Sequence, residues 1–124
     1  MEAIMQSIIT GRPIGRPKQF YKYELPQGVI KVVRAQCADY DRKALAIREG
    51  NIAAETLQSY IKTNEAIDKA LSEIEEGCRA YFLIDIADNR GYDRSQIQFY
   101  MSHNAYYNRK RKAIFEIALY LLLI

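Results

Sequence analysis

Hydrophobic positions along the chain recur mostly at three- and four-residue steps, the spacing of one face of an α-helix. Val29, Ile30, Val33, Cys37, Tyr40 and Ala44 form the first such run. Pro26 suits an early helical position and Gly50 a C-terminal stop, which predicts one helix between them. Leu57, Tyr60, Ile61, Ile67, Ala70, Leu71 and Ile74 predict a second helix from about Ala53 to Ile74, with Gly77 after it. The stretch "CRAYFLIDIAD" reads as a short, mostly buried helix ending at "NRGY". Strand propensity in "YFLIDI" competes, but an isolated strand without a partner is not stable in water.

Towards the C-terminus, Asp93 followed by Gln96 matches a capping box and predicts a short helix over about Arg94 to Met101. Ser102 is the expected cap of a last helix, from His103 to about Leu122. Short helix, tight turn and long basic helix make the layout of a helix-turn-helix unit. Pro13, Pro17 and Pro26 all lie in the first 26 residues, where "GRPIGRPKQFYKYELPQG" has the make-up of a flexible basic arm. The expected fold is therefore all-α, a bundle of about five helices. It comprises an arm over 1–25, a helical linker or oligomerisation region over 26–88, and a helix-turn-helix over 89–124. The last forms one compact domain with the middle helices.

Charge changes this picture more than composition does. With 124 residues, 49% hydrophobic and 27% charged, the chain is an ordinary single globular domain. Its net charge of +3 conceals three blocks. Residues 1–48 carry nine Lys/Arg against four Asp/Glu, residues 49–88 three against nine, and residues 89–124 six against two. Either the basic ends meet a polyanion, nucleic acid first, or acidic and basic helices pair inside the fold.

The basic block lies in "SHNAYYNRKRKAI". On a helical projection Tyr106, Ala113, Ile114, Ile117, Leu121 and Ile124 share one side, and Asn104, Asn108, Arg111 and Lys112 the other. Arg109 and Lys110 flank them, the Lys110 stem lying along the apolar edge. Asn pairs with an adenine edge, Arg with a guanine edge, and both Lys and Arg neutralise phosphates. Duplex DNA is thus the expected partner, and Asn104, Asn108, Arg109, Arg111 and Lys112 are candidate contacts. Arg12 and Arg16, in two Gly-Arg-Pro tripeptides, join them as phosphate contacts from the arm. Beyond Ala113 the helix turns apolar all round, through Phe115, Leu119 and Leu122, which implies burial on both sides, either by the chain's own helices or, the favoured route, by a homodimer contact.

"AYYNRKRKAIFEIALYLLLI", after a short helix and a Ser-containing turn, resembles the C-terminal end of small phage regulators of the RinA and ArpU type. These resemble region 4 of sigma-70 factors. Ser102, Tyr106, Tyr107, Lys110 or Arg111, and Ala113 fit their recognition-helix pattern, and "LQSYIKTNEAIDKALSEIEEGCRAYFLI" is similar to their linker helices. The likeness covers roughly residues 55–124. It departs at Gln98, where a small residue is expected, and in a turn without glycine. The resemblance implies sequence-specific DNA binding that regulates phage or prophage genes, with host RNA polymerase as a further partner. It implies Ser102 as helix cap and Tyr107 and Arg111 as DNA contacts.

Other chemistry is sparse. Cys37, Cys78 and the single His103 cannot make a classical zinc site, and both cysteines read as small buried hydrophobes in a reducing compartment. "DIADNRGYD" lacks the EF-hand spacing, and no nucleophile motif surrounds a serine or cysteine. Neither a cofactor nor an enzyme is expected. The apolar tail is twelve residues, short of the roughly 17–25 that span a bilayer, and the N-terminus lacks a signal-peptide pattern. A cytoplasmic protein without a membrane partner is expected, and the resemblance implies a bacterial host. The alternative function is a helical phage assembly or packaging adaptor that oligomerises without reading DNA.

Overall fold

The computed structural model describes residues 23–124, which contain five α-helices and no strand. They are α1 (Gln27–Ala38), α2 (Tyr40–Glu49), α3 (Ala54–Leu71), α4 (Arg79–Asp88) and α5 (His103–Tyr120). The arm expected over 1–25, Arg12 and Arg16 included, lies almost wholly outside the described residues.

The helix expected from Pro26 to Gly50 is two helices. Pro26 precedes α1 with ψ 147°, and its carbonyl accepts from Val29 and Ile30 N–H. The break falls at Asp39 (φ −94°, ψ 3°), whose carboxylate takes a two-pronged bond from Arg42 Nε and Nη2 (2.6 and 2.7 Å). That bond holds the Asp39 carboxyl below its usual range. The kink lets one amphipathic run serve two partners, since α1 packs chiefly on α4 and α2 on α3. From α3, Asn64 Nδ2 donates to the Tyr40 carbonyl (3.2 Å) and Asp68 accepts the Tyr40 hydroxyl. Burial, reinforced by Asp68, pushes that hydroxyl up to about 12. Gly50, at φ +67°, ends α2 as its position predicts.

Past α3 the chain is held by Arg79, which donates from Nε to the Ile74 carbonyl (2.8 Å) and from Nη2 to the Ser72 carbonyl (2.9 Å). Helix α3 stops at Leu71, three residues before the expected end, yet Ile74 remains in the core. Helix α4 ends at Asn89 (φ +56°), with Arg90 N–H bonding the Asp85 carbonyl (2.9 Å) and Asn89 N–H the Ile86 carbonyl (3.3 Å). This is a Schellman closure with Asn in the left-handed position.

The helix expected over Arg94–Met101 is absent, and Asp93 caps nothing. Two 3₁₀ turns, Tyr92–Arg94 and Gln96–Phe99, meet at an extended Ser95 (φ −100°, ψ 150°). The cause lies in α4. Asp85 is only 2% exposed, and a buried carboxylate needs donors. Ser95 and Tyr106 both donate to its Oδ2, Tyr106 at 3.0 Å. Pulling Ser95 inward forces the backbone straight there, and Ser95 Oγ then accepts from Ile97 N–H (3.0 Å). Ile97 follows into the core beside Val33, Ile67, Phe82, Ile86 and Ile117. Ser102 does cap α5, accepting from Ala105 N–H (3.2 Å).

The core side of α5 is set by Tyr106, whose ring stacks on Phe82 at 5.3 Å. At its far end Leu122 takes φ +62° with its side chain 87% exposed, and Leu123 N–H bonds the Ala118 carbonyl (2.9 Å). Leu119 and Ile124 are exposed as well, so the described residues do not bury both sides of the apolar tail.

Two stability changes are expected. Asp85→Ala, which takes the acceptor from the buried Ser95 hydroxyl while Tyr106 keeps the Arg90 carbonyl, lowers unfolding free energy by about 2 kcal/mol in urea titration. A loss below about 1 kcal/mol contradicts the role given to Asp85. Leu122→Gly relieves a left-handed leucine and raises stability by roughly 0.5–1 kcal/mol in the same measurement.

Candidate nucleic-acid interface

The four cations from Arg109 to Lys112 meet three different fates. Lys110 is buried, its Nζ donating to the Arg90 carbonyl. Burial lowers its pKa, Asp85 opposes that shift, and nearby Arg34 adds to it. Arg109 pairs with Glu75 (3.0 Å) and Lys112 with Glu73 (2.7 Å), with Glu116 3.9 Å from the same ammonium. The bond to Glu73 raises the Lys112 pKa. These two expected DNA contacts instead face the acidic segment after α3, so internal pairing of the charge blocks holds on this side of α5. Arg111 is half-buried, its guanidinium carbon 5.7 Å from the Tyr107 ring centre.

Asn104 and Asn108 stand exposed one turn apart. With Arg111 they continue up the helix at four- and three-residue steps, a stripe opposite Tyr106, Lys110, Ala113 and Ile117. Phe115 comes next and carries the Tyr23 ring at 5.4 Å, so the chain entering α1 passes this face.

Tyr107, the other expected contact, is turned to packing. Its hydroxyl accepts from Tyr92 N–H (3.1 Å), and its ring lies 4.7 Å from His103 and 4.9 Å from Tyr106. Gly91 makes room for it, since a Cβ there would stand 3.0 Å from the Tyr107 oxygen. The tyrosine pair therefore anchors the start of α5 to the turn after α4.

The structure adds two cations that the sequence reading missed. Arg34 of α1 donates from Nη2 to Asn89 Oδ1 (2.9 Å), and Arg90 pairs with Asp88 (3.1 Å). Nothing local marks Arg34, which lies 55 positions from its partner. For Arg90 the signal was available, because the Asn-Arg-Gly turn that ends α4 must sit beside the helix that follows.

Among the described residues no helix is long and apolar enough to cross a membrane, and no cluster of three His, Cys, Asp or Glu side chains is placed to hold a metal ion. Burial pushes the Cys37 thiol up to about 12, away from reactive values. Comparison with protein-family models, with curated proteins and with solved structures finds no match.

The Gly91–Tyr107 contact is open to a double-mutant cycle. Gly91→Ala destabilises by about 1 kcal/mol in the native background, and far less once Tyr107→Phe has removed the oxygen. Additive effects in chemical denaturation would show that the hydroxyl does not press on this turn.

Proposed function

We propose that the chain binds duplex DNA in a sequence-dependent way through the first half of α5, as a transcription regulator of a phage or prophage. One observation carries the reading. Asn104, Asn108 and Arg111 form a stripe on the outer face of a capped helix whose inner face is tied to the core by Tyr106 and Lys110. A rigid helix with amides and a guanidinium outward has the donors and acceptors that adenine and guanine edges present in a major groove.

The 3₁₀ elbow before Ser102 departs from a helix-turn-helix, so the reading rests on α5 rather than on that motif. In this reading the arm residues Arg12 and Arg16 add phosphate contacts. Exposed Leu119 and Ile124 supply a contact for a homodimer, beside a groove of about 700 Å³ that Lys62 and Lys69 also line. Host RNA polymerase is a further partner in this reading, and the bacterial cytoplasm its site of action.

Selection from a randomised duplex pool, followed by binding titrations, tests it. An enriched motif is expected, and Asn108→Ala should cut discrimination at one base pair by about 1–3 kcal/mol. A pool without enrichment, together with large DNA-free assemblies in light scattering, would instead favour the assembly adaptor.

A further inference from the structure

The two flanks of the α5 stripe are electrically unlike. On one, Arg109 and Lys112 meet Glu73, Glu75 and Glu116, two cations against three carboxylates. On the other, Arg34, Arg90, Lys110 and Arg111 gather round the turn from Asn89 to Tyr92. Asp85 lies beside Lys110, and Asp88 pairs with Arg90.

We propose that Arg34, Arg90 and Arg111 form a phosphate-binding row, so that a DNA strand runs along the Asn89–Tyr92 side of α5 and away from the Glu73–Glu75 side. This rests on the duplex-DNA reading above and assigns the docking direction that reading leaves open.

The fold alone does not require such crowding. One cation suffices to answer the carbonyls at the end of α4, and Lys110 already donates to the Arg90 carbonyl. Arg34 adds a second positive charge close enough to repel Lys110, yet the group it bonds is a neutral amide. Like charges held together from three separate elements are a cost in the free protein. A polyanion removes that cost. Arg90 and Asp88 are both well exposed, at 38% and 54%, and an exposed pair of this kind yields readily to a phosphate. Asp85 is already bonded by Ser95 and Tyr106 and faces inward, so its charge is spent on the interior. The Arg109–Glu75 pair is exposed to the same degree, but that flank sets three carboxylates against two cations, so a strand laid there would meet an excess of negative charge.

The test is fluorescence anisotropy with a mixed-sequence duplex of about 20 base pairs, titrated across about 50–200 mM salt, where phosphate contacts dominate. Arg34→Gln with Arg90→Gln is expected to weaken binding about tenfold or more and reduce the slope of log K against log salt by about 2. Arg90→Gln alone disturbs only a surface pair and should take away about 1 of that slope. Arg34→Lys with Arg90→Lys, which keeps the charges, should retain the native slope. Arg48→Gln, in the exposed last turn of α2, removes the same charge as Arg90→Gln and should change neither quantity. An unchanged slope in the Arg90→Gln protein, a reduced slope in the Arg34→Lys with Arg90→Lys protein, or an equal loss in the Arg48→Gln control would overturn the assignment. Native protein with no duplex affinity would sink this proposal and the DNA reading together. Sequence preference that depends on Asn108, with a slope indifferent to Arg34 and Arg90, would sink this proposal alone.

Discussion

A carboxylate cannot be left bare in an apolar interior, and the C-terminal third of this fold is arranged round that constraint at Asp85. Its side chain takes hydroxyl donors from Ser95 and Tyr106, while its backbone carbonyl closes the end of α4. Tyr106 also reaches the Arg90 carbonyl, which Lys110 shares. One buried acid thereby joins α4, the 3₁₀ elbow and α5. Partners fixed on both sides set the rotation of α5 about its axis. Asn104, Asn108 and Arg111 face outward because Tyr106 and Lys110 cannot. Position and outward chemistry of the helix are thus one problem, settled in the core.

The cationic run would be a poor guide to function if its charges were simply counted. Glu73 and Glu75 engage Lys112 and Arg109, and the interior takes Lys110. On the remaining edge of the basic block, Arg34 and Arg90 join Arg111 from elsewhere in the chain. This redistribution explains how a chain of net charge only +3 can present a positive flank.

Helical periodicity made α3, α4 and α5 legible, because each buries a continuous face. Gly50 and Ser102 were legible for the same local reason, a backbone position or an orphan N–H that suits one residue type. Where tertiary bonds decide, local pattern fails. Asp39 breaks a periodic run because α1 and α2 pack on different helices. Ser95 undoes the expected 94–101 helix because Asp85, ten residues earlier, claims its hydroxyl. The inward turn of Tyr107 depends on the space left by Gly91, and the pairing of Arg109 and Lys112 on a loop more than thirty residues away. Helix faces can be read from spacing. Which charged groups on a face are already occupied cannot.

The most direct measurement is a side-chain amide and arginine NMR titration of the full chain with a short mixed-sequence duplex. The account predicts that the Asn104 and Asn108 amides and the Arg34, Arg90 and Arg111 guanidinium signals move together as duplex is added. The Arg109 signal, held by Glu75, stays in place. Movement confined to Arg109 and its acidic neighbours, or no movement at all, would contradict it.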